Sequence, residues 1–263
     1  MNKKTHIVAL SGGKDSAAMA IRLKALNPNR RYVYVCTPTG DELPEMEEHW
    51  NRLEDILKQP LIRLHHPDYN DIFELIEHFW MLPNFRVRWC TRVMKIEAIQ
   101  HFYDLVKPAV VYVGLRADEQ KREGNQLLDP HVEQVFPMQE WGWDIQDVYQ
   151  YLAEKKIKIP RRTDCGMCFF QRLDEWYSLW EQYPEIYEKY EDLEFLIGHS
   201  FMTPGKHKIW PSWLFELRLE SEKGRMPRAV KSAKKKRLNG SLFKTDFDPF
   251  NYATNSKCRV CSL

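Results

Sequence analysis

The sequence predicts an α/β fold, a doubly wound, mostly parallel, Rossmann-like sheet followed by a helical extension that bears cysteines. Short apolar and β-branched runs alternate with helical stretches, an order typical of parallel sheets with helices on both faces. The first run, His6 to Leu10, leads through a glycine loop (residues 11–16) into a helix. After Pro160 the alternation gives way to helical stretches rich in Trp and Tyr. We therefore expect an α/β domain over residues 1–160 and a helical region over residues 161–263.

The composition excludes several classes of protein. The chain has 263 residues, 13% of them aromatic, so it can bury a core and does not have a disordered composition. A net charge of +2 does not by itself indicate a polyanionic partner. No run approaches the ~20 apolar residues of a membrane span, and no signal-like apolar run precedes the glycine loop. We expect a cytoplasmic protein without membrane association, in which six cysteines favour metal or redox chemistry over structural disulfides. Cys36 lies within a predicted strand and is interpreted as a core residue, and the oligomeric state stays open.

The glycine loop has the features of a phosphate cradle. It reads Ser11-Gly12-Gly13-Lys14-Asp15-Ser16. Two glycines allow a sharp turn and a close approach of backbone N–H groups, and the helix that follows favours an anion at its N-terminus. Lys14 adds positive charge, and Asp15 is explained if it binds Mg²⁺, which would bridge carboxylate and phosphate oxygens. The loop is shorter than the G-x-x-x-x-G-K-[ST] motif of another class of nucleotide-binding protein.

This hexapeptide resembles the PP-loop of the adenine nucleotide alpha-hydrolase-like superfamily, which includes ATP pyrophosphatases and the reductases of phosphoadenylyl sulfate (PAPS) and adenylyl sulfate (APS). Its lysine-bearing form is similar to the ATP-cleaving branch. The resemblance implies a HUP-type fold that binds ATP, or PAPS, with Mg²⁺. The nucleotide ligands that it implies in the loop are Ser11, Gly12, Gly13, Lys14, Asp15 and Ser16.

A second strand and a helix follow. The run from Arg31 to Thr37 is rich in β-branched and aromatic residues and predicts the strand, and Pro44 begins a helix that extends to about Leu57. The turn between them is similar to the D-T-G-x-x-x-P-E segment of the superfamily, which lies beside the ribose and adenine. The resemblance implies nucleotide contacts at Thr39, Gly40 and Glu42, and a capped turn without a ligand is the alternative, above all for Glu42.

A third strand, Leu61 to Leu64, and a helix, Asp71 to Met81, lead into a basic segment. Between Arg86 and Lys95 four cations surround an aromatic residue and a thiol, which suits a multiply charged phosphate or sulfate. The segment resembles the R-W-C-x-x-x-x-K block of the reductase-like members, which implies a nucleotide contact at Arg88 and a catalytic contribution from Lys95. Cys90 stands alone where APS reductases have two adjacent cysteines, so it is either a metal ligand or a small buried hydrophobic residue.

The fourth strand, Ala109 to Val113, is the most apolar one. Residues that follow such a strand lie where open α/β sheets bind ligands. The block after it resembles the G-x-R-x-x-E/Q-x-x-R pattern of the superfamily, which implies phosphate contacts at Gly114, Arg116 and Arg122. Surface charge is the alternative for Arg122. A Trp- and Tyr-rich helix that Asp144 caps is interpreted as structural, because its apolar face closes the sheet domain.

Two C-x₂-C pairs predict a metal site in the second region: Cys165 with Cys168 and Cys258 with Cys261. The two-residue gap lets both thiolates of a pair face one ion. The pairs are about 90 residues apart, which is longer than zinc-ribbon spacing, so they meet if the chain folds back. Zn²⁺ and a [4Fe-4S] cluster both accept four thiolates. A redox dithiol at Cys258 and Cys261 is a third option, because PAPS reductases carry a catalytic cysteine at a comparable place.

Arg225 to Arg237 is a strongly basic run. Such a run is typical of a solvated linker, and contact with nucleic-acid phosphates is the alternative.

The resemblance covers residues 6–170 and implies an enzyme. The chemistry implied is attack on the α-phosphate of ATP, which releases pyrophosphate and leaves an adenylylated acceptor, in sulfur transfer. The acceptor and the sulfur donor stay open, with a nucleic acid as one candidate acceptor and a sulfur-donor protein as one candidate partner. The catalytic residues would be Lys14, Asp15, Lys95 and Arg116. The alternatives are a PAPS- or APS-reductase-type oxidoreductase, which reduces activated sulfate through a cysteine, and a nucleotide-binding regulator without turnover.

Overall fold

The computed structural model describes residues 4–119, 129–202 and 209–232. Within these ranges the strands are β1 (Thr5–Ala9), β2 (Tyr32–Cys36), β3 (Leu61–Arg63), β4 (Ala109–Tyr112) and β5 (Val132–Val135). The α-helices are α1 (Lys14–Leu26), α2 (Pro44–Leu57), α3 (Ile72–Phe79), α4 (Trp89–Thr91), α5 (Ala98–Val106), α6 (Pro137–Glu140), α7 (Ile145–Glu154), α8 (Leu173–Gln182), α9 (Pro184–Ile197) and α10 (Leu214–Glu222). A π-helix, Arg92–Glu97, joins α4 to α5, and a 3₁₀ turn, Ala117–Glu119, follows β4.

The five strands form one parallel sheet in the order β3-β2-β1-β4-β5. β1 lies in the middle, where Val8 is opposite Tyr34 on one side and Tyr112 on the other. The chain therefore builds outward from β1 in one direction with β2 and β3, and in the other with β4 and β5. The connections that leave β1 and β4 diverge at this switch point, which is where open α/β sheets form ligand sites.

Both faces of the sheet are covered by helices. Side chains alternate along a strand, so Val8 joins an apolar cluster with α1, α2 and α7, whereas Ile7 joins a second cluster that includes Tyr103 of α5. Such two-sided burial explains why the central strands consist of almost continuous apolar residues. The predicted doubly wound α/β fold is confirmed, and every strand pair in the described sheet is parallel.

Some elements differ from the prediction. The sequence predicts the first helix from Ala17, but α1 begins at Lys14, so Lys14, Asp15 and Ser16 form its first turn. β5 was not predicted because Glu133 and Gln134 interrupt its apolar residues.

The described residues divide into two compact units. One comprises residues 4–72, 90–119 and 129–164 and contains the sheet; the other comprises residues 73–89, 165–202 and 209–232. The predicted domain boundary at residue 160 stays a prediction. No helix in the described part of the chain has both the length and the apolar character needed to cross a bilayer.

The second unit has its own aromatic core with a buried carboxylate. Trp176, Tyr187 and Tyr190 are buried together. Glu194 of α9 accepts hydrogen bonds from the backbone N–H of Phe201 at 2.8 Å and of Leu214 at 2.6 Å. Its carboxylate therefore fastens α9 to the start of α10. Burial raises the pKa of Glu194 to about 7.

Candidate functional site

The glycine loop connects the carboxyl end of β1 to the first turn of α1. Gly12 has a φ of +87°, and a Cβ there would collide with Met46 Cε and lie 2.6 Å from Trp50 Nε1. Only glycine fits this position, because the backbone is left-handed and α2 packs directly against it. The predicted turn therefore has a steric reason as well as a conformational one.

The two serines at the ends of the loop hold its shape. Ser11 Oγ lies 3.0 Å from Ser16 Oγ and accepts a hydrogen bond from the Gly13 N–H at 3.3 Å. The Ser16 hydroxyl also lies 3.1 Å from the Gly13 carbonyl oxygen. Within the described ranges, no side chain caps α1 at Gly13. Its first N–H groups thus form, with Lys14, an electropositive helix end suited to phosphate.

Helix α2 supports the loop through two residues that the sequence analysis missed. His49 Nε2 lies 3.0 Å from the Gly12 carbonyl oxygen, and Trp50 Nε1 donates to the Ser11 carbonyl oxygen at 3.1 Å. Both side chains are buried, with exposures of 1% and 3%. The sequence signal was that His49, a polar residue, lies on the apolar face of α2 formed by Met46, Trp50, Leu53 and Leu57. That signal shows burial but does not identify the partner.

The residues after β4 reach the glycine loop because β4 is the neighbour of β1. A Cβ at Gly114 would lie 3.1 Å from Ser16 N and 3.3 Å from the Asp15 carbonyl carbon. Gly114 therefore permits backbone-to-backbone packing of the two segments. The predicted residues Gly114 and Arg116 are thereby brought to the start of α1.

Arg116 is the centre of a buried charge network. Its guanidinium contacts Asp15 Oδ2 at 2.8 Å, Asp118 Oδ1 at 2.8 Å and Glu119 Oε2 at 3.5 Å. The side chain is 4% exposed. Burial opposes its charge, but the hydrogen bonds to Asp118 and the nearby carboxylates of Asp15 and Glu119 raise the pKa of Arg116 above its ordinary value. In this structure the guanidinium donors of Arg116 contact carboxylates, and the phosphate contact that the sequence predicts for Arg116 stays a prediction.

Asp15 has one oxygen engaged and one oxygen available. Its Oδ2 contacts Arg116, and Lys14 Nζ lies 3.5 Å from the same atom. Its Oδ1 is buried and has no hydrogen-bond partner among the described residues. A buried carboxylate oxygen without a partner is costly unless a ligand satisfies it. Mg²⁺ prefers oxygen ligands and is usually bound by one or two carboxylates together with phosphates, so Asp15 suits that ion.

Tyr149 of α7 belongs to the same neighbourhood and was also missed. It is buried, and burial raises the pKa of its phenol, on which the charges of Lys14, Asp15 and Arg116 also act. The sequence analysis interpreted α7 as structural. Its contact with α1 in the common core explains why one of its side chains lies near the charges at the start of α1.

The predicted residues after β2 form a closed turn. Glu42 Oε1 accepts hydrogen bonds from the Thr39 N–H at 2.7 Å and the Thr39 hydroxyl at 2.8 Å, and Oε2 accepts from the Gly40 N–H at 3.0 Å. The Thr39 carbonyl oxygen in turn accepts from the Ile72 N–H at 2.8 Å. In this structure the Glu42 carboxylate stabilises the turn through these hydrogen bonds. Nucleotide contacts at Thr39, Gly40 and Glu42 stay predictions.

The other predicted residues are placed as follows. Lys95 lies in the π-helix of the first unit, and Arg88 lies in the second unit, 5.4 Å from the centre of the Phe170 ring. Arg122 lies outside the described residues. Contacts of these three cations with a nucleotide stay predictions.

The first cysteine pair forms a turn. The Cys168 N–H donates to the Cys165 carbonyl oxygen at 3.2 Å, and the Cys168 carbonyl oxygen accepts from the Gln171 N–H at 3.0 Å. Cys258 and Cys261 lie outside the described residues. Among the residues that the structure does describe, no three or more His, Cys, Asp or Glu side chains form a cluster suited to a metal ion. The four-cysteine site and the contribution of Cys90 therefore stay predictions.

Comparison with known proteins supports the same family as the loop. A model of the phosphoadenosine phosphosulfate reductase domain matches residues 5–167. A search of curated proteins finds no match. Matching solved structures include the phosphoadenylyl-sulfate (PAPS) reductase from Candida auris in its phosphate complex, 13% identical, with a TM-score of 0.47 over 60% of this chain and 76% of that chain.

A second matching structure is the U34-tRNA thiolase NcsA from Methanococcus maripaludis with its [4Fe-4S] cluster. It is 15% identical, with a TM-score of 0.48 over 100% of this chain and 82% of that chain. The match of the family model extends over more than half of the sequence and includes the glycine loop, α2 and Arg116. The chain therefore belongs to the phosphoadenosine phosphosulfate reductase domain family, with a PP-loop at residues 11–16.

Proposed function

We propose that the chain is an ATP pyrophosphatase of sulfur transfer. It would bind ATP with Mg²⁺ in the glycine loop and direct an acceptor oxygen to the α-phosphorus. The bond from that phosphorus to the bridging oxygen breaks, pyrophosphate leaves and the acceptor becomes adenylylated. A sulfur nucleophile from a donor protein then displaces AMP. The observation that carries the proposal is the buried Asp15, whose unengaged oxygen lies at the start of α1 beside Lys14.

Each residue of the cluster has a role in this proposal. Lys14 and the loop N–H groups hold the phosphates that leave, where fixed positive charge stabilises the transition state. Asp15 would hold Mg²⁺, which when bound neutralises charge on the phosphate oxygens. Arg116 fixes Asp15 through the 2.8 Å ion pair and so acts through it. Lys95 keeps the catalytic contribution that the sequence predicts for it.

The experiment is pyrophosphate and AMP release from Mg-ATP with a panel of candidate acceptors, thiolatable nucleic acids included. We expect Lys14→Ala and Asp15→Asn to reduce release by roughly 100-fold or more, the loss typical when one preorganised charge is removed. Lys24→Ala is the matched control, since Lys24 lies in the last turn of the same helix and donates to the Pro28 carbonyl oxygen. Folded Lys14 and Asp15 variants with parental release would contradict the proposal.

A PAPS-reductase-type reaction is the second candidate, because the family model is that of a PAPS reductase domain. In that reaction a cysteine thiolate attacks the sulfate sulfur, and a thiol reductant then releases sulfite. Sulfite release from PAPS, without pyrophosphate release from ATP, would favour it. Tight nucleotide binding with neither product would favour a regulator without turnover.

We also propose that Cys165, Cys168, Cys258 and Cys261 bind Zn²⁺ or a [4Fe-4S] cluster. The backbone turn from Cys165 to Cys168 supports this, because a two-residue gap within a turn lets both thiolates of a pair face one ion. After anaerobic purification, absorbance near ~400 nm with bound iron indicates a cluster, and a colourless protein with zinc indicates a structural ion. Cys165→Ser with Cys168→Ser should remove the metal. Cys36→Ala is the control, because burial raises the pKa of Cys36 to about 12 and keeps its thiol protonated.

A further inference from the structure

Two buried side chains of α2 hydrogen-bond to backbone carbonyl groups of the glycine loop. Trp50 Nε1 donates to the Ser11 carbonyl oxygen at 3.1 Å, and His49 Nε2 lies 3.0 Å from the Gly12 carbonyl oxygen. A carbonyl oxygen can only accept, so His49 Nε2 must carry the hydrogen. Two consecutive carbonyl groups of the loop are thus fixed by neighbouring residues of one helix.

Because the peptide bond is planar, these two hydrogen bonds to carbonyl groups also fix the direction of the loop N–H groups. In a trans peptide the C=O of one residue and the N–H of the next point in opposite directions. Holding the Ser11 and Gly12 carbonyls toward α2 therefore turns the N–H groups of Gly12 and Gly13 away from α2. The Gly13 N–H meets Ser11 Oγ at 3.3 Å, a long hydrogen bond that a phosphate oxygen can replace. Outward N–H groups at a helix N-terminus are the donors that a phosphate requires.

The protonation state of His49 is consistent with a role as a neutral hydrogen-bond donor to the loop. Burial lowers the pKa of His49 to about 4, so its imidazole is neutral at neutral pH. The hydrogen bond to Gly12 therefore adds no buried positive charge. Its Nδ1 is buried without a hydrogen-bond partner in the part of the chain that the structure describes. The hydrogen bond to the Gly12 carbonyl oxygen is thus the one that the described residues provide to this imidazole.

We infer that His49 and Trp50 are positioning residues that hold the glycine loop in its phosphate-binding conformation. They act through the Ser11 and Gly12 carbonyls and touch no substrate. The inference rests on the proposed function, since it concerns how the loop binds Mg-ATP. It goes beyond that function in assigning nucleotide affinity to two core side chains of α2.

The test measures binding of Mg-ATP, and separately of inorganic pyrophosphate, to the full chain by calorimetry. Trp50→Phe keeps a buried ring and removes the N–H, His49→Leu removes the donor at similar volume, and His49→Gln restores an N–H donor. Loss of one hydrogen bond predicts about 2- to 10-fold weaker binding in Trp50→Phe and His49→Leu. We expect His49→Gln to recover most of the affinity.

Trp176→Phe is the matched control, because Trp176 is as deeply buried, lies in the second unit and has no partner for its Nε1 among the described residues. It should lower thermal stability without changing nucleotide affinity. This separates the positioning role from a general loss of stability. All binding is measured well below the unfolding temperature of each variant.

The outcomes distinguish this inference from the proposed function. Parental affinity in folded Trp50→Phe and His49→Leu overturns the inference and leaves the proposed function intact. Equal weakening in His49→Gln and His49→Leu also overturns it, because packing and not the donor would then be responsible. A parent that binds Mg-ATP but releases no pyrophosphate refutes the proposed reaction, while the binding ratios still decide the inference. A parent that binds neither ligand removes both.

Discussion

Arg116 shows how a single residue can connect stability with the site. Its side chain is surrounded by the carboxylates of Asp15, Asp118 and Glu119. We expect Arg116→Met to lower the free energy of unfolding by about 3–5 kcal/mol, because it removes the buried guanidinium that pairs with the buried carboxylates of Asp15 and Glu119. Chemical denaturation measures this loss. Lys107→Ala, which breaks exposed ion pairs with Asp104 and Asp129, should change stability little; an equally small effect of Arg116→Met would contradict the prediction.

The two loop glycines should respond differently to the same methyl group. Gly12→Ala forces a left-handed backbone on alanine and pushes a Cβ into Met46 and Trp50. We expect it to cost at least about 2 kcal/mol in chemical denaturation. Gly13→Ala is the control, because Gly13 has a φ of −64° and its added Cβ would lie 3.5 Å from Ser11 Oγ, an ordinary contact. Equal stability of the two variants would show that α2 does not confine the loop.

The sequence indicates candidate site residues but not the residues that they contact. Lys14 and Asp15 were predicted from a local pattern, because a glycine turn before a helix is encoded by adjacent residues. The partner of Asp15 is Arg116, which lies far away along the chain and arrives only through the pairing of β1 with β4. His49 was missed for the same reason, since nothing near it in the sequence indicates a bond to Gly12.

At the scale of helices and strands, residues with a local effect on the backbone, such as proline and capping residues, predicted where helices begin. Pro44 starts α2 as predicted, and Asp144 caps α7 as predicted. The π-helix between α4 and α5 was not predicted, because a π-turn is a small local change in hydrogen bonding within a continuous helical pattern. β5 could not be predicted from its own residues, because the polar residues between Val132 and Val135 obscure the strand pattern. The strand is defined by its pairing with β4 at the edge of the sheet.

The capping box of α7 provides a test at this scale. Asp144 accepts hydrogen bonds from the N–H groups of Gln146 and Asp147, and the Asp147 side chain accepts from the Asp144 N–H. We expect Asp144→Ala to cost about 1 kcal/mol and to lower the Tm accordingly. Glu154→Ala, at the opposite end of α7, should not destabilise, because an acidic side chain is unfavourable near a helix C-terminus. A greater loss in Glu154→Ala would contradict the capping argument.

For the whole molecule, two buried groups predict opposite responses of the two units to pH. The pKa of His49 in the first unit falls to about 4, so its neutral form contributes stability above its ordinary pKa of 6.5, and this is lost as pH falls toward 4. The pKa of Glu194 in the second unit rises to about 7 from 4.5, so its contribution is greatest below pH 4.5 and is lost as pH rises through 7. Between these limits the two contributions have opposite slopes.

Calorimetric unfolding at about pH 5 and about pH 7 tests this expectation. We expect His49→Gln to remove part of the rise in stability with pH, and Glu194→Gln to remove part of a fall. Neither glutamine titrates, so each variant isolates one slope even if the units unfold in one transition. A parental pH profile in Glu194→Gln would show that its carboxyl titrates normally.

The position of β1 between two strands from distant parts of the chain has a consequence during protein synthesis. A nascent chain that ends before Ala109 can pair β1 with β2, but it lacks β4 and with it Gly114 and Arg116. Asp15 would then have no guanidinium partner, and the start of α1 would be open on one side. Under the proposed function, a complete Mg-ATP site therefore exists only after the ribosome has released the residues that follow β4. Bound ATP would then stabilise only α/β units that contain β4, and it would not assist the folding of shorter nascent chains.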